Sequence, residues 1–240
     1  QIYIANKDWP SNNIRFWKTD KTPLRWLLFD TEFSTSIYDQ PHYGYNMFNV
    51  ITEERGPNWP NPPWSVELIK RFLSNPEYKR LLINACCDLM NTVFSEDQIT
   101  SAVENMIKLY EADMTMHWDR WIWAAGGSMK QWKTNTQALP LYFSQRKPLF
   151  QSQMESFFNL EKSVPLSVTC ANGGSVILNN LTLTNESLTG NYYPNQFISL
   201  TAVPNEGYTF LQWKGSINTT EKSISVNPEE GLTLQAVFTK

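Results

Sequence analysis

The sequence is poor in the residue types that announce common chemistries. It has 3 cysteines and 2 histidines in 240 residues. Cys86 and Cys87 are adjacent within a helical pattern and Cys170 lies far away, so a paired disulfide framework is excluded and the thiols read as buried. His42 and His117 are widely spaced and no Cys-x-x-Cys occurs, so a zinc site, which needs about four converging ligands, is not expected. Positive charge is not in excess. Lys plus Arg number 20 against 23 acidic residues, a formal charge of −3, so no cationic field exists to hold a nucleic-acid backbone and nucleic acid is not expected as a partner. No run approaches the ~20 apolar residues of a membrane helix, and Gln1 to Pro10 has none of the regions of a signal peptide. Gly-x-Ser-x-Gly is absent, and Gly126-Gly127 lacks the lysine context of a phosphate loop.

Apolar and aromatic residues are plentiful. They make up 41% and 14% of the chain, with 10 Trp, enough to bury a core and to exclude a disordered polypeptide. At roughly 150 residues per domain the length allows one large or two modest domains.

Two grammars divide the chain. Between Ser65 and Leu160 the apolar residues follow a helical period. Val66, Ile69, Phe72 and Leu73 form one face, and after the cap Asn75-Pro76, Tyr78, Leu81, Leu82, Ala85, Leu89 and Val93 form the next. Ser95-Glu96-Asp97-Gln98 has the form of a capping box, followed by Ile99, Val103, Met106, Ile107 and Tyr110. Further helices are predicted over Met116 to Trp123, over Met129 to Gln145 with Pro140 as a kink or restart, and over Pro148 to Asn159. From Val164 onward short β-type runs take over: 166–170, 175–178, 196–202, 208–213, 223–226 and 232–238. Asn, Gly and Pro clusters separate them. Phe197, Leu200, Tyr208, Phe210, Trp213 and Phe238 are the predicted core of this small β domain. The fold class is therefore α+β and multidomain, with a mainly helical domain over 1–162 and an all-β domain over 163–240.

The first 60 residues hold a predicted hairpin, Ile14 to Lys18 and Leu24 to Phe29, then an irregular stretch from Thr35 to Pro63 rich in proline. Asp8 and Asn13 precede the first strand and Asp30 follows the second. A hairpin returns its ends to one place, so two carboxylates and an amide can converge there. Such a set suits phosphoryl transfer, where one Asp orients the attacking hydroxyl and an Asn and a second Asp offer hard oxygens to Mg²⁺. The same residues can also be plain turn formers.

Asn6-Lys7-Asp8-Trp9-Pro10-Ser11-Asn12-Asn13, followed by Leu24-Arg25-Trp26-Leu27-Leu28-Phe29-Asp30-Thr31-Glu32-Phe33, resembles the spore-coat protein H (CotH) kinase family. The resemblance continues through Phe72 to Tyr78, Leu89 to Phe94 and His117 to Trp121, and spans roughly residues 1 to 160. It implies a protein-kinase-like carboxy-terminal lobe with a short β-hairpin, using Mg²⁺ and ATP. Asp8 would be the catalytic-loop aspartate, Asn13 and Asp30 the metal ligands, and a protein Ser, Thr or Tyr hydroxyl the acceptor. Glu32 stands where many members carry a second Asp, and Ser34 where glycine is common. The chain begins seven residues before Asp8. No amino-terminal lobe is expected in it, and little or no phosphate transfer by this segment alone.

Val168 to Val176, Leu200 to Trp213 with its Pro-Asn-Glu-Gly-Tyr-Thr-Phe, and Leu232 to Phe238 are similar to a divergent internalin-type B-repeat. That likeness implies a β-grasp-like module at the surface of a bacterium or outside it. It raises the competing expectation of a non-catalytic binding or scaffold module whose β domain takes a surface ligand. The tryptophans Trp59, Trp64, Trp118, Trp121, Trp123 and Trp132 are expected in core and inter-helix packing rather than on a sugar platform. His117 is expected as an ordinary helix residue rather than a general base.

Overall fold

The polar turn Thr19 to Thr22 closes the first element of the computed structural model, with the Thr19 amide donating to Thr22 Oγ1 at 3.0 Å. It joins β1 (Phe16–Thr19) to β2 (Thr22–Trp26), antiparallel with Phe16 opposite Trp26 and Trp17 opposite Arg25. Leu27 N–H donates to the Arg15 carbonyl at 2.8 Å and carries the pairing one step further toward the hairpin's base. The structure describes residues 1–35, 43–58, 61–125 and 127–240, the side chains of 122–125 excepted. Much of the irregular stretch predicted from Thr35 to Pro63 is thereby covered, but 36–42, with His42, and 59–60, with Trp59, lie outside the described residues, as do Gly126 and the Trp123 side chain.

The chain divides into two compact units. The first comprises Gln1–Arg71 and Val93–Gln153. It holds the hairpin, a one-turn helix α1 (Met47–Val50) capped by Asn46, most of α2 (Pro63–Leu73), α4 (Glu96–Ala125) and most of α5 (Met129–Phe158). Its core gathers Tyr3, Met47, Phe48, Ile51, Val66, Ile69 and Phe150, all buried. The Tyr3 ring stacks on Phe94 at 4.2 Å and meets Phe150 edge-on at 4.9 Å.

Both long helices differ from the sequence expectation. Helix α4 is continuous where a break between Tyr110 and Met116 was expected, and α5 runs unbroken through Pro140 and Pro148. An internal proline costs about 3 kcal/mol of helix stability. Burial of Tyr142, Arg146 and Phe150 on one face of α5 holds the helix together across both sites.

The second unit comprises Phe72–Thr92 and Met154–Lys240. It contains α3 (Pro76–Asn91) and eight strands: β3 (Val164–Cys170), β4 (Gly174–Leu178), β5 (Leu181–Thr184), β6 (Ser187–Tyr192), β7 (Ile198–Pro204), β8 (Thr209–Gly215), β9 (Ser223–Val226) and β10 (Leu232–Thr239). They form two four-stranded sheets, ordered β6-β3-β10-β8 and β5-β4-β7-β9. β10 lies parallel to β3 and the remaining pairs are antiparallel. Period-two alternation turns Leu166, Val168 and Cys170 inward from β3 and Leu232, Leu234, Ala236 and Phe238 inward from β10. Trp213 is wholly buried, its indole N–H donating to the Glu221 carbonyl at 3.1 Å. Leu200 and Phe238 are buried as predicted, whereas Phe197 is exposed, its carbonyl rather than its ring being engaged, by Asn84 Nδ2 at 2.9 Å.

Helix α3 starts as its sequence dictates. Asn75 accepts from the Glu77 and Tyr78 amides at 2.8 and 3.2 Å, and Pro76 occupies the first turn, where no N–H is needed. The face it buries is not the predicted one. Leu81, Leu89 and Val93 are exposed, while Ile83, Asn84, Cys87, Asp88 and Met90 are buried. The reason is polar. Asp88 accepts from Tyr192 Oη at 2.8 Å and from Asn179 Nδ2 at 3.1 Å, and Asn91 exchanges two 3.1 Å bonds with the backbone of Asn191. Gly190 lies so close to Asn91 that a Cβ there would stand 2.5 Å from its amide nitrogen. The expected packing of the tryptophans also fails in part, since Trp64 and Trp121 are exposed.

Candidate active site at the base of the hairpin

The hairpin's two ends deliver Asn13 and Asp30 to one place. Both adopt positive φ, 56° and 52°, a region that Asn and Asp tolerate better than other side chains with a Cβ. Asn13 Nδ2 donates to Asp8 Oδ2 at 2.8 Å and reaches the Asp30 carbonyl at 3.4 Å. Asn12 Nδ2 donates to the other Asp8 oxygen at 2.8 Å. Asp8, Asn13 and Asp30 are thus brought together, with one amide side chain spanning from the first carboxylate to the backbone of the second aspartate.

Asn6, Glu32 and two backbone bonds complete the site. Asn6 is wholly buried, and its Oδ1 accepts the Asp8 N–H at 3.1 Å while its Nδ2 donates to the Asp30 carbonyl at 3.3 Å. It ties the two strand ends from beneath. Backbone bonds from Lys7 N to Phe33 O, 3.2 Å, and from Thr35 N to Ile4 O, 2.9 Å, hold residues 4–7 against 33–35. The Asp30 and Glu32 side chains hydrogen-bond each other, which raises the Asp30 carboxyl above the usual range and lowers that of Glu32, with the Asp8 charge opposing the latter.

Asn6, Asn12 and Arg146 escaped the reading of the sequence. The first two carried a signal, since three Asn within eight residues of Asp8 is a dense supply of amide donors. Arg146, more than 100 residues away, carried none. His117 is exposed on α4 and meets Trp118 edge-on at 5.1 Å.

Among the described residues, no group of three or more His, Cys, Asp or Glu is set to hold a metal ion. The donor chemistry nevertheless suits a hard divalent cation: Asp8, Asp30 and Glu32 offer carboxylate oxygens, and Asn13 Oδ1 an amide oxygen. No helix among the described residues is long and apolar enough to cross a membrane.

The short hairpin thus carries an aspartate five residues ahead of an asparagine at one end and a second aspartate at the other. Residues 1–149 match the family described as CotH kinase protein, and residues 164–240 match the divergent InlB B-repeat domain. The first match covers more than half of the chain, which therefore belongs to the CotH kinase family, with a divergent B-repeat domain following. Neither curated proteins nor solved structures give a match.

Proposed function

We propose that this protein is an atypical CotH-like protein kinase acting outside the cell or at a bacterial surface, which moves the γ-phosphoryl group of ATP to a protein Ser, Thr or Tyr hydroxyl. The observation that carries the reading is the Asn13 side chain reaching from the Asp8 carboxylate to Asp30. Asp8, held by Asn12 and Asn13, orients the acceptor hydroxyl and takes up its proton. Asn13 and Asp30 would hold Mg²⁺, with Glu32 beside them; when bound, the ion neutralises charge on the ATP phosphates. Asn6 keeps the two aspartates in register.

Asp30 and Glu32 are exposed, and so are Phe16, Trp17 and Leu28 of the adjoining hairpin. An electrostatic site open to water is weak. The 240 residues alone are accordingly proposed to transfer little phosphate. The kinase-like domain is taken to span 1–162 and the B-repeat domain 163–240, the latter being the support for a surface location.

Isotopic transfer from ATP to a protein acceptor, compared between wild type and Asp8→Ala, tests the assignment. Any transfer is expected to fall at least ~100-fold in the variant, as for loss of a positioned base. Equal transfer by both proteins removes Asp8 from the mechanism.

The competing reading is a non-catalytic surface module that binds or scaffolds through its repeat. It is favoured by one feature: Asp8 is already satisfied by two amides, and Asp30 and Glu32 by each other. Binding of a glycan or surface protein by wild type and Asp30→Ala alike, with no response of either to Mg-ATP, would support it.

A further inference from the structure

Arg146 sits in the middle of α5, fully buried, and its described hydrogen bonds all end on neutral oxygens. Nε donates to the Tyr3 carbonyl at 2.9 Å and Nη2 to that of Ile2 at 3.2 Å. Nη1 donates to the Tyr43 and Tyr45 carbonyls at 2.7 and 2.8 Å, with Gln153 Oε1 at 3.3 Å. The guanidinium also lies 5.4 Å from the centre of the Phe150 ring.

The surrounding residues extend the pattern. Tyr142 Oη donates to the Ile4 carbonyl at 3.3 Å and Gln153 Nε2 to that of Gly44 at 2.7 Å. Tyr142, Arg146, Phe150 and Gln153 recur at helical spacing, so one face of α5 reads the backbone carbonyls of two segments, 2–4 and 43–45. Taking a cation out of water is costly and a core of this size does not need one for burial alone. The planar fork with five N–H donors does what no apolar residue can: it fixes several carbonyls at once.

Segment 2–4 leads directly into the site. The Ile4 carbonyl accepts from Thr35, Asn6 follows with its bonds to Asp8 N and Asp30 O, and Lys7 N pairs with Phe33 O. We propose that Arg146 is a positioning residue for the phosphoryl-transfer site, setting the place of Asp8 relative to Asp30 by clamping the carbonyls of Ile2 and Tyr3. This rests on the kinase reading only for what the positioned group does; the clamp itself is independent of it.

Two readouts separate these. Amide hydrogen exchange on the full chain compares wild type, Arg146→Lys, which keeps the charge but loses the fork, and Tyr142→Phe, which loses only the bond to Ile4. In Arg146→Lys, the amides of Lys7, Asn12 and Thr35 are expected to exchange about tenfold faster or more, while those of α2 around Val66 and Ile69 keep their protection. Tyr142→Phe should show a smaller rise confined to the amides near Ile4 and Thr35. Mn²⁺ alone, followed by water-proton relaxation, should bind Arg146→Lys about tenfold more weakly than wild type. Unchanged exchange at residues 7–12, or an equal rise throughout α2, overturns the proposal. Failure of wild type to bind Mn²⁺ defeats the kinase reading instead, and the exchange pattern alone then decides whether Arg146 places Asp8.

Discussion

The B-repeat domain and the hairpin region are built on opposite terms. In the repeat, alternating residues of two four-stranded sheets are buried almost completely, as at Leu200, Trp213 and Ala236. In the hairpin, Phe16, Trp17, Leu24 and Trp26 are all exposed, and order at its base comes from amide and backbone hydrogen bonds around Asp8 and Asp30. Burial stabilises in proportion to area and tolerates little volume change, whereas an exposed polar array adds little stability and can be rearranged cheaply. Apolar burial thus orders the repeat, and polar hydrogen bonds order the base of the hairpin.

The contrast can be broken most strongly at Trp213. Trp213→Ala is expected to destabilise the second unit by roughly 3–5 kcal/mol, with loss of cooperative unfolding of the repeat in a denaturant titration. A loss below ~1 kcal/mol would mean that the buried core around Trp213 is not the source of its stability.

Asp88 gives the next effect. Burial pushes its carboxyl up to about 6, against the opposing bonds from Tyr192 and Asn179. The folded state therefore favours the protonated form. Its contribution is fully present below about pH 4, is lost as pH rises through about 6, and is constant above, a fall of about 3 kcal/mol. Unfolding free energies of the second unit between pH 4 and 7 check this, and Asp88→Asn should flatten the slope.

Asn75 is smaller again. Asn75→Ala removes the acceptor for the Glu77 and Tyr78 amides and should cost about 1 kcal/mol, read as a lower denaturation midpoint with unchanged m. Least of all is Asp8→Ala, which the contrast predicts to change stability by under ~1 kcal/mol while removing transfer. A large loss of stability there would erase the distinction between the two regions.

Legibility followed the same division. Strand β9 was read at its observed limits and β3, β4, β7, β8 and β10 within about two residues, because alternation and turn residues mark them. Strands β5 and β6 went unread: Leu181 to Thr184 and Ser187 to Tyr192 are mostly polar, and only Leu183, Gly190 and Tyr192 are buried in them. For α3 the periodicity pointed to leucines, but Asn84 and Asp88 are buried instead because the Phe197 carbonyl and Tyr192 offer them partners that no helical wheel contains. At the site, Asp8, Asn13 and Asp30 could be read from the hairpin between them. The guanidinium of Arg146 could not, since four of its five described partners are backbone carbonyls, which carry no identity in a sequence.

Mg-ATP titrated into the chain in a calorimeter, with wild type beside Asp30→Ala, addresses the central assignment most directly. Saturable heat from wild type, reduced at least tenfold in affinity or lost in the variant, is the predicted result. Equal binding by both proteins, or none by wild type, would contradict a nucleotide and metal role for the hairpin's base.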